Sequence, residues 1–155
     1  MFVATHTVIG AIIGTMLPTH PFIVFGLAFL LHFLTDMVPH GDTKLYKDHL
    51  SGVRKKLTWV YVIGDALVTI CLIGYFIQIS TLHIQPAVLT GILGSVLPDI
   101  LVGLYEAFRT KWLARFHYWH FFFHNLISNR IGDLPLAIGV MMEMILTSTL
   151  FYQLL

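Results

Sequence analysis

Apolar residues fill this chain in long blocks, and short polar interruptions mark where each block ends. Phe2 to Leu17 is apolar, with Gly10 and Gly14 four residues apart, and the Pro18-Thr-His20-Pro21 turn closes it. Such a stretch predicts a short membrane helix whose small-xxx-small pair lets a neighbour pack closely. Pro21 to Val38 predicts a second helix, stopped at Pro39, which lacks an N–H and disfavours a helical residue before it. Leu57 to Ser80 and Gln85 to Phe108 are each long enough to span, the former interrupted by Asp65 and the latter by Pro98-Asp99. Trp112 to Ser128 is aromatic and histidine-rich, and Pro135 to Leu155 is a last apolar stretch containing Glu143, which either pairs with a neighbour or marks a second polar site.

These blocks predict an all-α fold: a multi-pass integral membrane helical bundle of about five transmembrane helices plus one interfacial or partly buried His-rich helix at 112–128. The whole chain, 1–155, reads as one membrane-embedded domain. Composition agrees, since 57% hydrophobic and 11% charged residues with a mean hydropathy of +0.81 exclude an ordinary soluble domain. The lipid bilayer is therefore the expected partner. A net charge of +1 gives no reason to expect nucleic acid. The lone Cys71 lies in an apolar run and is expected to be a small buried hydrophobe, with no disulfide framework and no thiolate metal cluster. The first block has no Lys or Arg before it and is broken early by Thr5 and His6, so it is expected to stay as a helix and not to be cleaved as a signal peptide.

Basic residues set the expected orientation. Five of the nine, Lys44, Lys47, Arg54, Lys55 and Lys56, fall in the polar segment Pro39–Lys56, and Arg109, Lys111 and Arg115 follow the fourth helix. With both segments cytoplasmic, the third and fourth helices run out and back through a turn at Thr81–Gln85, and the N-terminus is inside. This arrangement gathers polar residues at one depth: His6, Asp36, His40, Asp42, Asp65 and Asp99. Ionisable groups in membrane segments cost several kcal/mol unless paired or bound to a cation, so their gathering calls for a partner.

His32 and Asp36 are four residues apart and share a helical face, with His40 and Asp42 just past the helix end. His117, His120 and His124 are spaced i, i+3, i+7, which aligns three imidazoles on one stripe, and Ser128 follows a turn later. Histidine nitrogen with carboxylate oxygen suits a divalent ion, zinc first and manganese or iron next, in a mono- or dinuclear site. The candidate ligands are His6, His32, Asp36, His40, Asp65, Asp99, His117, His120 and His124, with Asp42 the candidate catalytic base. For His20, His49 and His83 a role in the site is not expected.

Three elements carry a family resemblance: Thr5-His6-Thr-Val-Ile-Gly10, Gly94-Ser-Val-Leu-Pro98-Asp99 and His120-Phe-Phe-Phe-His124-Asn125. In these the chain resembles small bacterial inner-membrane proteins described as membrane-bound metal-dependent hydrolases. The His32-Phe-Leu-Thr-Asp36…Pro39-His40 stretch is similar to the helix end of the zinc-dependent phospholipase C and nuclease group, which is all-helical with a trinuclear zinc site. The match departs at Leu101, where the family often has a second Asp, in the longer spacing to Gly10, and in a His motif lacking the family's Arg and Gly. The resemblance implies a bacterial inner membrane and hydrolysis by a metal-activated water.

Divalent-metal hydrolysis of a phosphoester, with a phospholipid as candidate substrate and Lys55, Lys56 or Arg115 holding its headgroup, is then the leading expectation. A non-catalytic assembly subunit and a cation or proton transporter are the alternatives, and the glycine faces would admit a homodimer. Serine-nucleophile, P-loop and dinucleotide motifs are absent.

Overall fold

A computed structural model describes residues 1–78 and 85–155, and these form helices joined by short turns, with no strand among the described residues. The helices are α1 (Val3–Met16), α2 (Pro21–Asp36), α3 (Thr43–Leu50), α4 (Lys55–Gln78), α5 (Pro86–Phe108), α6 (Lys111–His124), α7 (Ser128–Ile131) and α8 (Leu136–Tyr152). Proline sets two of the starts, standing at the first position of α2 and α5, where its missing N–H costs nothing. Arg109 ends α5 in the left-handed region at φ 51°, a cap more often supplied by glycine. The expected turn around Thr81 and His83 lies outside the described residues.

The bundle is organised by α5, which packs along α1 and α2. Glycine permits this closeness: a Cβ on Gly10 or Gly91 would strike the other helix's backbone, and one on Gly94 would strike Phe25 of α2. Val8, Ala11, Val24, Ala28, Val88, Ile92 and Val96 fill the remaining space with small or branched side chains. Gly14 meets the α5 backbone at Val88, so the predicted small-xxx-small face is spent within the chain.

Among the described residues only α4 and α5 are both long and apolar enough to cross a membrane; α1, α2 and α8, at 14, 16 and 17 residues, are apolar but shorter. The expectation of about five spanning segments therefore exceeds what these lengths reach, because a straight span needs about 20 residues. Just 11% of the apolar window of α4 is buried, and Phe22 on α2 is 89% exposed. A helix bare of protein contacts and still apolar is suited to lipid, not to water. Cys71 shares this outer face of α4 and is exposed, not buried as composition suggested.

The exposed α4 is tied to the interior at its midpoint. Asp65 accepts hydrogen bonds from the backbone N–H of Val3 (2.7 Å) and Ala4 (3.0 Å), two of the orphan donors at the start of α1. Beside it, the buried Glu143 of α8 accepts from the Thr5 hydroxyl at 2.7 Å. Asp65→Ala is expected to destabilise the protein by about 1–3 kcal/mol, the cost of leaving sheltered donors unpaired. Thermal unfolding in detergent checks this, and a Tm equal to wild type would rule out the cap.

Candidate metal centre

Three helices and the turn after α2 deliver side chains to one buried spot at the N-terminal end of α1 and the C-terminal end of α2. His32 and Asp36 come from one face of α2 as their spacing required, Asp99 comes from α5 a residue after Pro98, and His120 and His124 come from α6. Two groups of potential ligand atoms result, each with all its atoms within 4.8 Å of one another: His32, Asp36, Asp99 and His120, and Asp36, His40 and His124. Asp36 belongs to both. In the first group, Asp99 Oδ1 lies 3.8 Å from His32 Nε2 and 3.4 Å from His120 Nε2, while Asp36 Oδ2 lies 3.6 Å from His120 Nε2. In the second, Asp42 Oδ1 lies 3.0 Å from His40 Nε2 and 3.4 Å from His124 Nε2.

Hydrogen bonds to backbone fix how two of these rings face. His32 Nδ1 donates to the Ser95 carbonyl at 2.8 Å, and His40 Nδ1 donates to the Val38 carbonyl at 2.7 Å. A carbonyl can only accept, so in each neutral ring the proton is on Nδ1 and the Nε2 lone pair points into the cluster. There it meets carboxylate oxygens and, for His32, the His120 Nε2 at 3.1 Å. Lone pairs and negative charge converging in a dry site repel unless a cation lies among them, and at Asp36 Oδ1 and His40 Nε2 the Met1 ammonium is one such cation. Metal-bound histidines have their second nitrogen held in this same way. Buried atoms without hydrogen-bond partners, Asp99 Oδ2 and Asp42 Oδ1, add to the unmet demand for positive charge. The donor set, imidazole with carboxylate and no thiolate, fits a divalent transition metal.

The other expected ligands have different duties. His6 stacks on His32 with ring centroids 4.1 Å apart and lies 3.4 Å from Asp36 Oδ1, where it steadies that carboxylate. The Met1 nitrogen lies 2.6 Å from the same oxygen and 2.5 Å from His40 Nε2. Asp65 serves the start of α1 instead of the cluster. His117 turns away to Glu106 at 2.8 Å, which also accepts from the Tyr46 hydroxyl at 2.8 Å, joining α3, α5 and α6. Lys55, Lys56 and Arg115, expected to hold an anionic headgroup, are solvent-exposed. Burial opposes ionisation of Asp42, yet His124 beside it holds the carboxyl well below the usual carboxylate range. It is therefore ionised at neutral pH, as a proton acceptor must be.

Asp133, in the loop before α8, was not among the expected residues. Its two oxygens accept from the Gly41 N–H at 2.8 Å and the Thr43 N–H at 3.0 Å, clamping the turn that carries His40 and Asp42. Gly41 is at φ +91°, where a side chain would be strained. Partial burial raises the Asp133 pKa, but the Gly41 and Thr43 bonds outweigh it and hold the carboxyl below the usual range. A depressed carboxyl contributes stability that is present above its unfolded value near about 4 and lost as pH falls through the folded value. Asp133→Asn should accordingly lower Tm at pH 7, with the gap to wild type closing below about pH 4. A gap unchanged between pH 7 and pH 3 would contradict the clamp.

Gly139 completes the frame, since a Cβ there would collide with the His40 carbonyl. No family model, curated protein or solved structure matches the chain, so the case for a metal rests on these donors and their geometry.

Proposed function

We propose that this protein is a multi-pass membrane hydrolase, in which two divalent ions, zinc first and manganese or iron next, share Asp36 and activate water against a phosphoester. His32, Asp36, Asp99 and His120 would hold one ion, and Asp36, His40 and His124 the other. The observation that carries this reading is the pair of Nδ1–H bonds from His32 and His40 to backbone carbonyls, which leave both Nε2 lone pairs aimed at carboxylates. When bound, such ions acidify a water toward a pKa of about 7 and polarise a phosphoryl oxygen. Asp42, less buried than Asp36, is positioned to accept the proton. His6 keeps Asp36 oriented.

The apolar outer faces of α2 and α4 support a bilayer around the bundle, with the short apolar helices α1, α2 and α8 accommodated by local thinning or by burial against α5. A bacterial inner membrane with the N-terminus inside fits the placement of basic residues before α4 and after α5. Transport is less well supported, because the buried acids and imidazoles gather at one end of α1 and do not form a path along it.

Elemental analysis of detergent-purified protein tests this directly. About two equivalents of zinc, manganese or iron per chain are expected, falling to about one equivalent in a His32→Ala/His120→Ala variant that keeps the second group, with hydrolysis of bis(p-nitrophenyl) phosphate lost in parallel. A wild-type protein free of metal after purification without chelators would overturn the reading.

A further inference from the structure

Helix α8 has two faces of different character. Gly139, Glu143 and Thr147 pack inward against the His40 turn and α1. Ile138, Met141, Met142, Ile145 and Leu146, spaced i, i+3, i+4, i+7, i+8, instead line an open apolar groove of about 820 Å³ that continues to Leu150 and is walled opposite by Ile9, Thr35 and Val38. That volume is within the roughly 300–1,000 Å³ of ligand sites.

One end of this groove lies beside the metal centre, separated from it by Met1. Thr35 and Val38 flank Asp36 in sequence, Met1 lines the groove while its nitrogen touches Asp36 and His40, and Ile138 adjoins Gly139, which abuts the His40 carbonyl. From Ile138 to Leu150 the groove follows α8 for about 18 Å at 1.5 Å per residue. One leaflet of hydrocarbon is about 15 Å deep. A trough this long, apolar throughout and with the candidate metal cluster beside one end is matched to an amphiphile with one extended chain and an anionic head.

We infer that the groove between α8 and the α1–α2 pair seats a single acyl or alkyl chain of the substrate, with the scissile phosphoester of its headgroup at the Asp36 cluster. This rests on the hydrolase reading and narrows it to long-chain phosphoesters. Methionine at three groove positions, Met1, Met141 and Met142, suits a flexible chain, since its thioether adapts to varied contacts.

The test compares p-nitrophenyl hexadecyl phosphate with p-nitrophenyl ethyl phosphate, using zinc-loaded full-length protein in detergent. Water displaces p-nitrophenolate from phosphorus in both, leaving the alkyl phosphate. The hexadecyl ester is expected to show a kcat/KM at least about tenfold higher, and Ile145→Trp, which fills the trough, should reduce that preference to near unity while metal content stays at the wild-type level. Should Ile145→Trp lose its metal, Met141→Phe replaces it. Because micelle partitioning is common to both proteins, only the groove can account for the change between them.

Equal rates for the two esters, or a preference that survives the filled groove, would overturn the chain-binding inference and leave the hydrolase reading standing. Failure to hydrolyse either ester by metal-loaded protein would overturn the hydrolase reading. In that event native mass spectrometry with hexadecyl phosphate decides the groove alone: one adduct per chain, lost in Ile145→Trp, supports it, and no adduct sinks it. A stable dimer whose dissociation is needed before any adduct forms would assign the groove to a second copy and also overturn the inference.

Discussion

Asp36→Asn is expected to strip metal from both positions at once, leaving about a tenth or less of the wild-type content and no measurable phosphoester hydrolysis. The reasoning is geometric. Asp36 is the one residue common to both ligand groups, with Oδ2 toward His32, His120 and His124 and Oδ1 toward His6. An amide keeps the shape but removes the charge and offers only one oxygen, so the position at His40 and His124 loses the carboxylate of its group and the other is left with Asp99 alone. Single losses elsewhere should be graded by comparison: Asp99→Asn affects the first position only and His40→Ala the second only, each leaving about one equivalent. His6→Ala removes no ligand and should weaken affinity by about 10–100-fold, the usual cost of losing a partner that orients a ligand. Elemental analysis of the four variants, purified side by side, checks the pattern. If Asp36→Asn retained one full equivalent, Asp36 would not bridge, and the two groups would be independent sites.

The second large effect lies away from the chemistry. Gly91→Val should destabilise the protein by roughly 3 kcal/mol, lowering Tm by about 6–12 °C for a chain of this size. A Cβ at Gly91 would overlap the Gly10 carbonyl, and the added methyls would press toward Val24 of α2. Backbone cannot move aside as a side-chain tip can, so α1 and α5 must separate along the seam that holds Val8, Ala11, Val88 and Ile92. Against a total stability of about 5–15 kcal/mol this is a major fraction. Gly103→Val provides the control, since nothing lies within 4 Å of its Cβ position. Melting curves for both variants in the same detergent decide it; equal Tm values would mean that the α1–α5 seam is not close-packed.

Much of the helical layout is legible in the sequence because apolar blocks and prolines speak locally. Pro21 and Pro86 open helices, Pro39 closes one off, and the α5 limits are nearly those of its apolar block. The His32/Asp36 pairing is equally local, fixed by the i, i+4 repeat. What periodicity cannot supply is the partner across the bundle. His117, His120 and His124 share a stripe, but His117 and His124 are seven residues and so about 10 Å apart along α6, farther than one compact cluster reaches. His117 falls instead to Glu106, a residue with no motif around it. The clamp by Asp133 was hidden for the same reason: it bonds backbone N–H groups 90 and 92 positions earlier, and only the folded chain brings them together. The basic segment after Pro39 looked like a plain polar loop, yet Thr43–Leu50 is helical because Tyr46 is anchored on Glu106 and stacked on Phe121. The stops of α1 and α2 fall within two residues of those the prolines predict, and at 14 and 16 residues these helices are shorter than a straight span.

The Gly139 contact bears on the order in which the chain is made. His32, Asp36, His40 and Asp42 leave the ribosome early, but the residues that finish and brace their cluster, from His120 to Gly139, come almost last. Domains acquire structure as synthesis proceeds, and a half-made chain here holds acids and imidazoles with no enclosure. The final helix abuts the His40 turn as a closing plug, so a chain stopped before Gly139 is expected to leave the cluster open.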